Sequence, residues 1–160
     1  MRKNEIHVKI GEIKIGHAGD VLKATLGSCV GIAFVWTERG VSGLAHCLLP
    51  DIDRIDEKII SAKYVRQAVP SLISLLKVQS TDLLHIKVYV AGGGNMMSQL
   101  LKNNIHRIGD QNIESAKKNL ERYQLNYKII DSGGECGRQM YVDCSSGEVS
   151  VKRIQRNENG

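Results

Sequence analysis

The run VGIAFVW, residues 30–36, carries no charged side chain at seven successive positions. A strand with one wet face alternates apolar and polar residues, so a run apolar on both faces belongs to a strand covered on both sides. Glu38-Arg39-Gly40 has turn composition, and VSGLAHCLLP, 41–50, returns antiparallel to that strand until Pro50-Asp51 ends it. Ile6, Val8 and Ile10 alternate with polar residues, and Ile13 and Ile15 do so again, which adds strands before the run. From about Asp56 the period changes. Ile59, Ala62, Val65, Val69, Leu72, Ile73 and Leu76 recur at three and four, predicting one amphipathic helix or two, interrupted at Pro70. IKVYVAGG, 86–93, reads as a strand running into glycines, with a short helix opening near Asn95. A further helix carries Ile113, Ala116, Leu120 and Tyr123 behind Asp110 as N-cap. Strands are expected at 127–130, 138–144 and 148–154, the last two joined across Ser145-Ser146-Gly147. The fold class is therefore α/β: one domain over residues 1–160, with a mixed β-sheet layered with helices.

Composition agrees with a folded chain: 160 residues, 42% hydrophobic, with two prolines. The net charge of +5 comes from basic residues scattered along the chain, except near Lys152, Arg153 and Arg156, and gives only a mild pull toward acidic partners. One Phe and one Trp leave almost no stacking platform for single-stranded nucleic acid, and no nucleic-acid partner is expected. No apolar stretch approaches the roughly 20 residues that cross a bilayer, and the N-terminus alternates rather than forming a signal core. A cytoplasmic protein without membrane insertion is expected. Cysteines 29, 47, 136 and 144 form no CxxC pair, which predicts free thiols.

Cys29 sits in TLGSCVGI, between a Gly-Ser pair and the apolar run. If the two strands form a hairpin about residues 38–40, paired positions sum to about 78 and residue 46 falls opposite about 32. That brings His46 to the end of the hairpin where Cys29 stands. An imidazole that takes the thiol's proton makes a nucleophile, and the N–H groups of the Gly27-Ser28-Cys29 turn are placed to receive an oxyanion. The alternative is a buried cysteine beside a core histidine, which is the commoner arrangement on spacing alone. Zinc is the rival use of His46, Cys47, Cys29 and either Cys136 or Cys144. Adjacent strand residues point to opposite faces, however, and no ligand-spaced pair exists, so no metal and no cofactor are expected. Gly92-Gly93-Gly94-Asn95 follows a strand where phosphate loops occur, yet it lacks the Lys-Ser/Thr of a P-loop; tight turning is the simpler role. Gly133-Gly134-Glu135-Cys136-Gly137-Arg138 is either a turn with Arg138 in a structural ion pair or a flexible wall of a cleft.

TLGSCVGI, AHCLLPD, VYVAGGGNMM, IGDQNI and GGECGRQMYVDCSSGEV, in that order from about Gly16 to Val151, resemble the chemoreceptor glutamine deamidases of the CheD family. The resemblance implies an α/β fold similar to that of bacterial deamidating toxins, with Cys29 as nucleophile and His46 as general base and acid. The thiolate would attack a glutamine carboxamide, ammonia would leave, and water would hydrolyse the thioester to glutamate; some members also hydrolyse glutamate methyl esters. The family's third catalytic member, which orients the histidine, is a threonine six residues before the cysteine. Lys23 stands there in this chain, and Thr25, four before, is the expected substitute. Implied partners are the cytoplasmic helices of chemoreceptors and a CheC-type phosphatase. The alternative is a weakly catalytic module whose main work is to regulate that phosphatase.

Overall fold

The computed structural model describes residues 3–95 and 107–154, and the 30–36 run forms a strand buried at every position. In chain order the elements are β1 (Asn4–His7), β2 (Ile13–His17), β3 (Asp20–Leu26), β4 (Val30–Trp36), β5 (Val41–Cys47), α1 (Val65–Leu76), β6 (Lys87–Gly92), α2 (Ile108–Arg122), β7 (Tyr127–Ser132), β8 (Gly137–Asp143) and β9 (Glu148–Ile154). The strands make two mixed sheets, a four-stranded one in the order β1-β3-β8-β9 and a five-stranded one in the order β2-β5-β4-β6-β7.

Period-two alternation along β4 builds the layers. Val30, Ile32, Phe34 and Trp36 join Ala45 and Cys47 of β5 in a core with α1 and α2. Cys29, Ala33 and Val35 point the other way, with Leu44 of β5, onto Leu22, Ala24 and Leu26 of β3 and Met140 and Val142 of β8. The five-stranded sheet thus lies between helices and the second sheet, which is why β4 needs apolar residues on both faces. Gly31 marks a close approach of the sheets: a Cβ there would lie 2.6 Å from the Met140 sulfur.

Several sequence expectations change. The helical spacing from residue 56 becomes helix only at Val65, and Ile59 and Ile60 are exposed. Side chains of α1 take the backbone groups of the preceding segment instead. Gln67 donates to the carbonyls of Asp56 and Ile59 and accepts from the Asp56 N–H, while the Ser71 hydroxyl accepts from the Ser61 N–H. The helix is single and runs through Pro70. A proline there removes one i to i−4 bond, and packing of α1 against α2 and β5 holds the helix across the gap. Asp110 is the third residue of α2 rather than its cap, which is Arg107, and its carboxylate accepts from the Asn95 amide. β3 is a strand that the alternation of Leu22, Ala24 and Leu26 could have announced. The short helix expected near Asn95 lies outside the described residues beyond Asn95 itself. No described helix is long and apolar enough to cross a membrane.

Candidate active site

The β4–β5 hairpin forms about the 3-10 turn at Thr37–Arg39, and its pairs sum to 77, with Gly31 opposite His46 and Val30 opposite Cys47. The difference of one from the expected register matters, because a one-residue slip sends every side chain to the other face. His46 shares the inter-sheet face with Gly31, whereas Cys47 turns into the helix-side core. Cys29 precedes Gly31 by two residues and lies on that same inter-sheet face. The thiol and the imidazole are therefore diagonal neighbours on one face, a spacing that a histidine side chain can cross.

Both are nearly enclosed: Cys29 is 5% and His46 3% exposed. His46 Nδ1 lies 2.9 Å from the carbonyl oxygen of Val8. A carbonyl can only accept, so Nδ1 carries the proton and donates it, and Nε2 is left with its lone pair. Nε2 is buried and has no hydrogen-bond partner among the described residues. Burial pushes the imidazole below its usual pKa, opposed by the Val8 bond and Glu12 and reinforced by His7. Burial likewise pushes the Cys29 thiol up, opposed by the residue's own backbone N–H. Both effects favour the neutral thiol and the neutral imidazole.

Glycine loops hold the turn that carries Cys29. The N–H of Gly94 donates to the Gly27 carbonyl and that of Gly93 to the Cys29 carbonyl, each at 2.9 Å. The Asn112 amide donates to the carbonyl of Ser28, also at 2.9 Å. Gly92 and Gly93 have φ of 108° and 66°; a Cβ on Gly92 would lie 2.4 Å from the Cys29 carbonyl oxygen, and one on Gly93 2.7 Å from that of Gly109. Their glycine character serves close backbone packing, and the amides that a phosphate would need are engaged by carbonyls. The 133–137 loop closes the same end. Arg138, fully buried, donates to the carbonyls of Gly133 and Cys136. Its Nε lies 3.3 Å from Asp131, close enough for an ion pair although off the line of a hydrogen bond. Asp131 also accepts two bonds from Arg153; these, with the positive charge of both arginines, hold its carboxyl below the usual range. Gly134 in turn accepts from the Asn95 N–H.

Thr25 does not join His46. It is exposed on the outer face of the four-stranded sheet, paired with Gln139, because Ala24 and Leu26 take the inward positions of β3. Lys23 shares that outer face, with Nζ 3.7 Å from Glu5. The contact expected of a threonine is made instead by the Val8 carbonyl, which no side-chain pattern announces. Gly27 and Ser28 are half-buried beside Cys29, their carbonyls bound as described. Asn112 was legible in part: it precedes Ala116 by one turn on the buried face of α2, a polar residue at a core position.

A family model described as CheD chemotactic sensory transduction matches residues 48–153. The chain belongs to the CheD family. Among curated relatives of this CheD chain, a Bdellovibrio bacteriovorus protein named "Probable chemoreceptor glutamine deamidase CheD" is 37% identical over 152 residues, covering 95% of this chain and 96% of the relative. "Probable chemoreceptor glutamine deamidase CheD 2" of a Ruegeria species is 33% identical, covering 96% and 94%. A Pyrococcus abyssi protein with the same name as the first is 33% identical, covering 94% and 92%. The family model begins just after His46, and these alignments span nearly the whole chain.

The four cysteines of this CheD chain are free and differ in surroundings. Cys47 is packed under the helices, and its thiol is pushed far up by burial first and then by Cys29. Cys144 lies at the far end of the inter-sheet layer. Cys136 is half-buried in the 133–137 loop. Alternation in β5 thus splits the residues once grouped as zinc ligands, and among the described residues no three His, Cys, Asp or Glu side chains are grouped to hold a metal ion.

Proposed function

We propose that this chain deamidates glutamine side chains of chemoreceptors, with Cys29 as nucleophile and His46 as base and then acid. The observation that carries this is the buried Nε2 of His46, lone-pair bearing and without a partner among the described residues, on the face that holds the Cys29 thiol. Nε2 takes the thiol proton as sulfur attacks the carboxamide carbon. The same proton goes to the departing nitrogen, ammonia leaves, and a thioester remains on Cys29. Water, losing a proton to Nε2, cleaves the thioester to give glutamate and restore the thiol. The oxyanion meets the N–H of Cys29, beside the Gly27 and Ser28 peptides that hydrogen bonds from Gly94 and Asn112 hold in place. Glutamate methyl esters fit the same route, with methanol leaving in place of ammonia. With this chemistry go the partners of the family, receptor helices as substrate and a CheC-type phosphatase, a cytoplasmic setting, and the likeness to deamidating toxins.

The test is incubation of the chain with a chemoreceptor cytoplasmic fragment, with conversion of glutamine to glutamate read by peptide mass spectrometry. Conversion by the wild type and none by Cys29→Ala is the expected result. Equal conversion by Cys29→Ala overturns the assignment. Binding of a CheC-type phosphatase without conversion by the wild type favours the regulatory module.

A further inference from the structure

We infer that Asn112 is a positioning residue that fixes Cys29 against His46, an inference that rests on the dyad proposed above. The β4–β5 ladder ends at the pair Val30 and Cys47. Cys29 lies one step beyond it, so the backbone bonds of the hairpin no longer set its distance from the strand that carries His46. Asn112 spans that gap. Its amide nitrogen donates one hydrogen to the carbonyl of Ser28, at 2.9 Å, and the other to the carbonyl of Leu48, at 3.1 Å. Ser28 immediately precedes Cys29, and Leu48 stands two residues after His46. One planar NH2 group with a fixed angle between its hydrogens thus ties the two chains where the sheet stops doing so.

Burial argues that this is more than filling. Asn112 is fully buried, and among the described residues its Oδ1 has no hydrogen-bond partner. An orphaned buried acceptor costs free energy that a leucine of similar size would not, so volume alone does not account for an asparagine here. The same buried face carries Ser115 and Asn119, whose side chains bind Pro50 and Asp51 just beyond β5, while Ile113, Ala116 and Leu120 pack in the helix-side core. The donor is what the position uses.

The test is iodoacetamide labelling of Cys29, Cys47 and Cys144 by peptide mapping in wild type, Asn112→Asp, His46→Ala and the double variant. A carboxylate at residue 112 keeps the shape but faces two carbonyl oxygens without a hydrogen to give. Asn112→Asp is expected to slow Cys29 labelling about tenfold through misalignment, with Cys47 and Cys144 as protected as before. In the His46→Ala background the same change is expected to do nothing further, because its effect passes through the imidazole. An unchanged Cys29 rate, or an equal loss in the His46→Ala background, overturns the inference. Faster labelling of Cys47 and Cys144 marks opening of the fold; Asn112→Ser, which keeps one donor, then carries the comparison, and overturns the inference if it too slows Cys29 equally with and without His46. If wild type and His46→Ala label Cys29 alike, the dyad itself fails and this inference falls with it.

Discussion

The layer between the two sheets holds a buried thiol at each end, Cys29 and Cys144, equally enclosed at 5% exposure. Their neighbours differ. Cys29 shares its face with an imidazole whose Nε2 has no hydrogen-bond partner among the described residues, and it sits on a turn held by three donors. Cys144 has carboxylates for company; burial first and then Asp20 push its thiol up to about 11, with Asp143 adding and the Ser42 hydroxyl opposing. Its sulfur is so close to Gly16 that a Cβ there would lie 2.6 Å away. Two cysteines alike in type and burial thus differ in surroundings: an imidazole kept in its neutral, basic form shares the face at one end, and negative charge that resists a thiolate lies at the other.

The largest effect tests that base. His46→Ala makes the Cys29 end resemble the Cys144 end, and deamidation of a receptor fragment should fall by about 10²- to 10⁴-fold, as measured by kcat/KM; a loss under tenfold would break the comparison. Arg138→Ala removes the donor that holds the Gly133 and Cys136 carbonyls and leaves a cavity beside the Cys29 end. Denaturant unfolding should show a loss of about 3 kcal/mol, with Cys144 still protected in the native state. The pH profile sharpens the contrast further. Because burial lowers the His46 pKa below its usual 6.5, the base is already neutral at that pH, and the acid limb of kcat/KM should lie below 6.5. The sign for stability is the same: the unfolded chain binds that proton more readily, so stability present above the usual value is lost as pH falls below it. An acid limb above 6.5 would contradict the burial argument. Thr25→Ala should change kcat/KM by less than about twofold, since exposed surface changes away from a site do little; a tenfold loss would show that Thr25 reaches His46 during turnover.

What the sequence revealed of this arrangement follows from which forces are local. VGIAFVW displays its two-sided burial in its own composition, and the turn at 38–40 set the hairpin to within one residue. That one residue decides the face of His46, and it is fixed by the exact geometry of the turn rather than by the hydrophobic pattern, which β4 satisfies in either register. Ile59 and Ala62 kept helical spacing without a helix because Gln67 and Ser71, distant in the pattern, bind that backbone. The Cys29 loop was visible as a motif, but its supports at Gly93, Gly94 and Asn112 come from chain segments more than 60 residues away. Val8 acts through its backbone, and a carbonyl leaves no mark in a sequence.

The most direct measurement exposes the chain to a chemoreceptor-derived peptide carrying a diazoketone in place of the glutamine carboxamide, and maps the adduct by mass spectrometry. A nucleophilic thiol served by a proton-transferring base gives one adduct, on Cys29, formed slowly or not at all in His46→Ala. Adducts spread over Cys47, Cys136 and Cys144, or a Cys29 adduct that forms as fast without His46, would contradict the account.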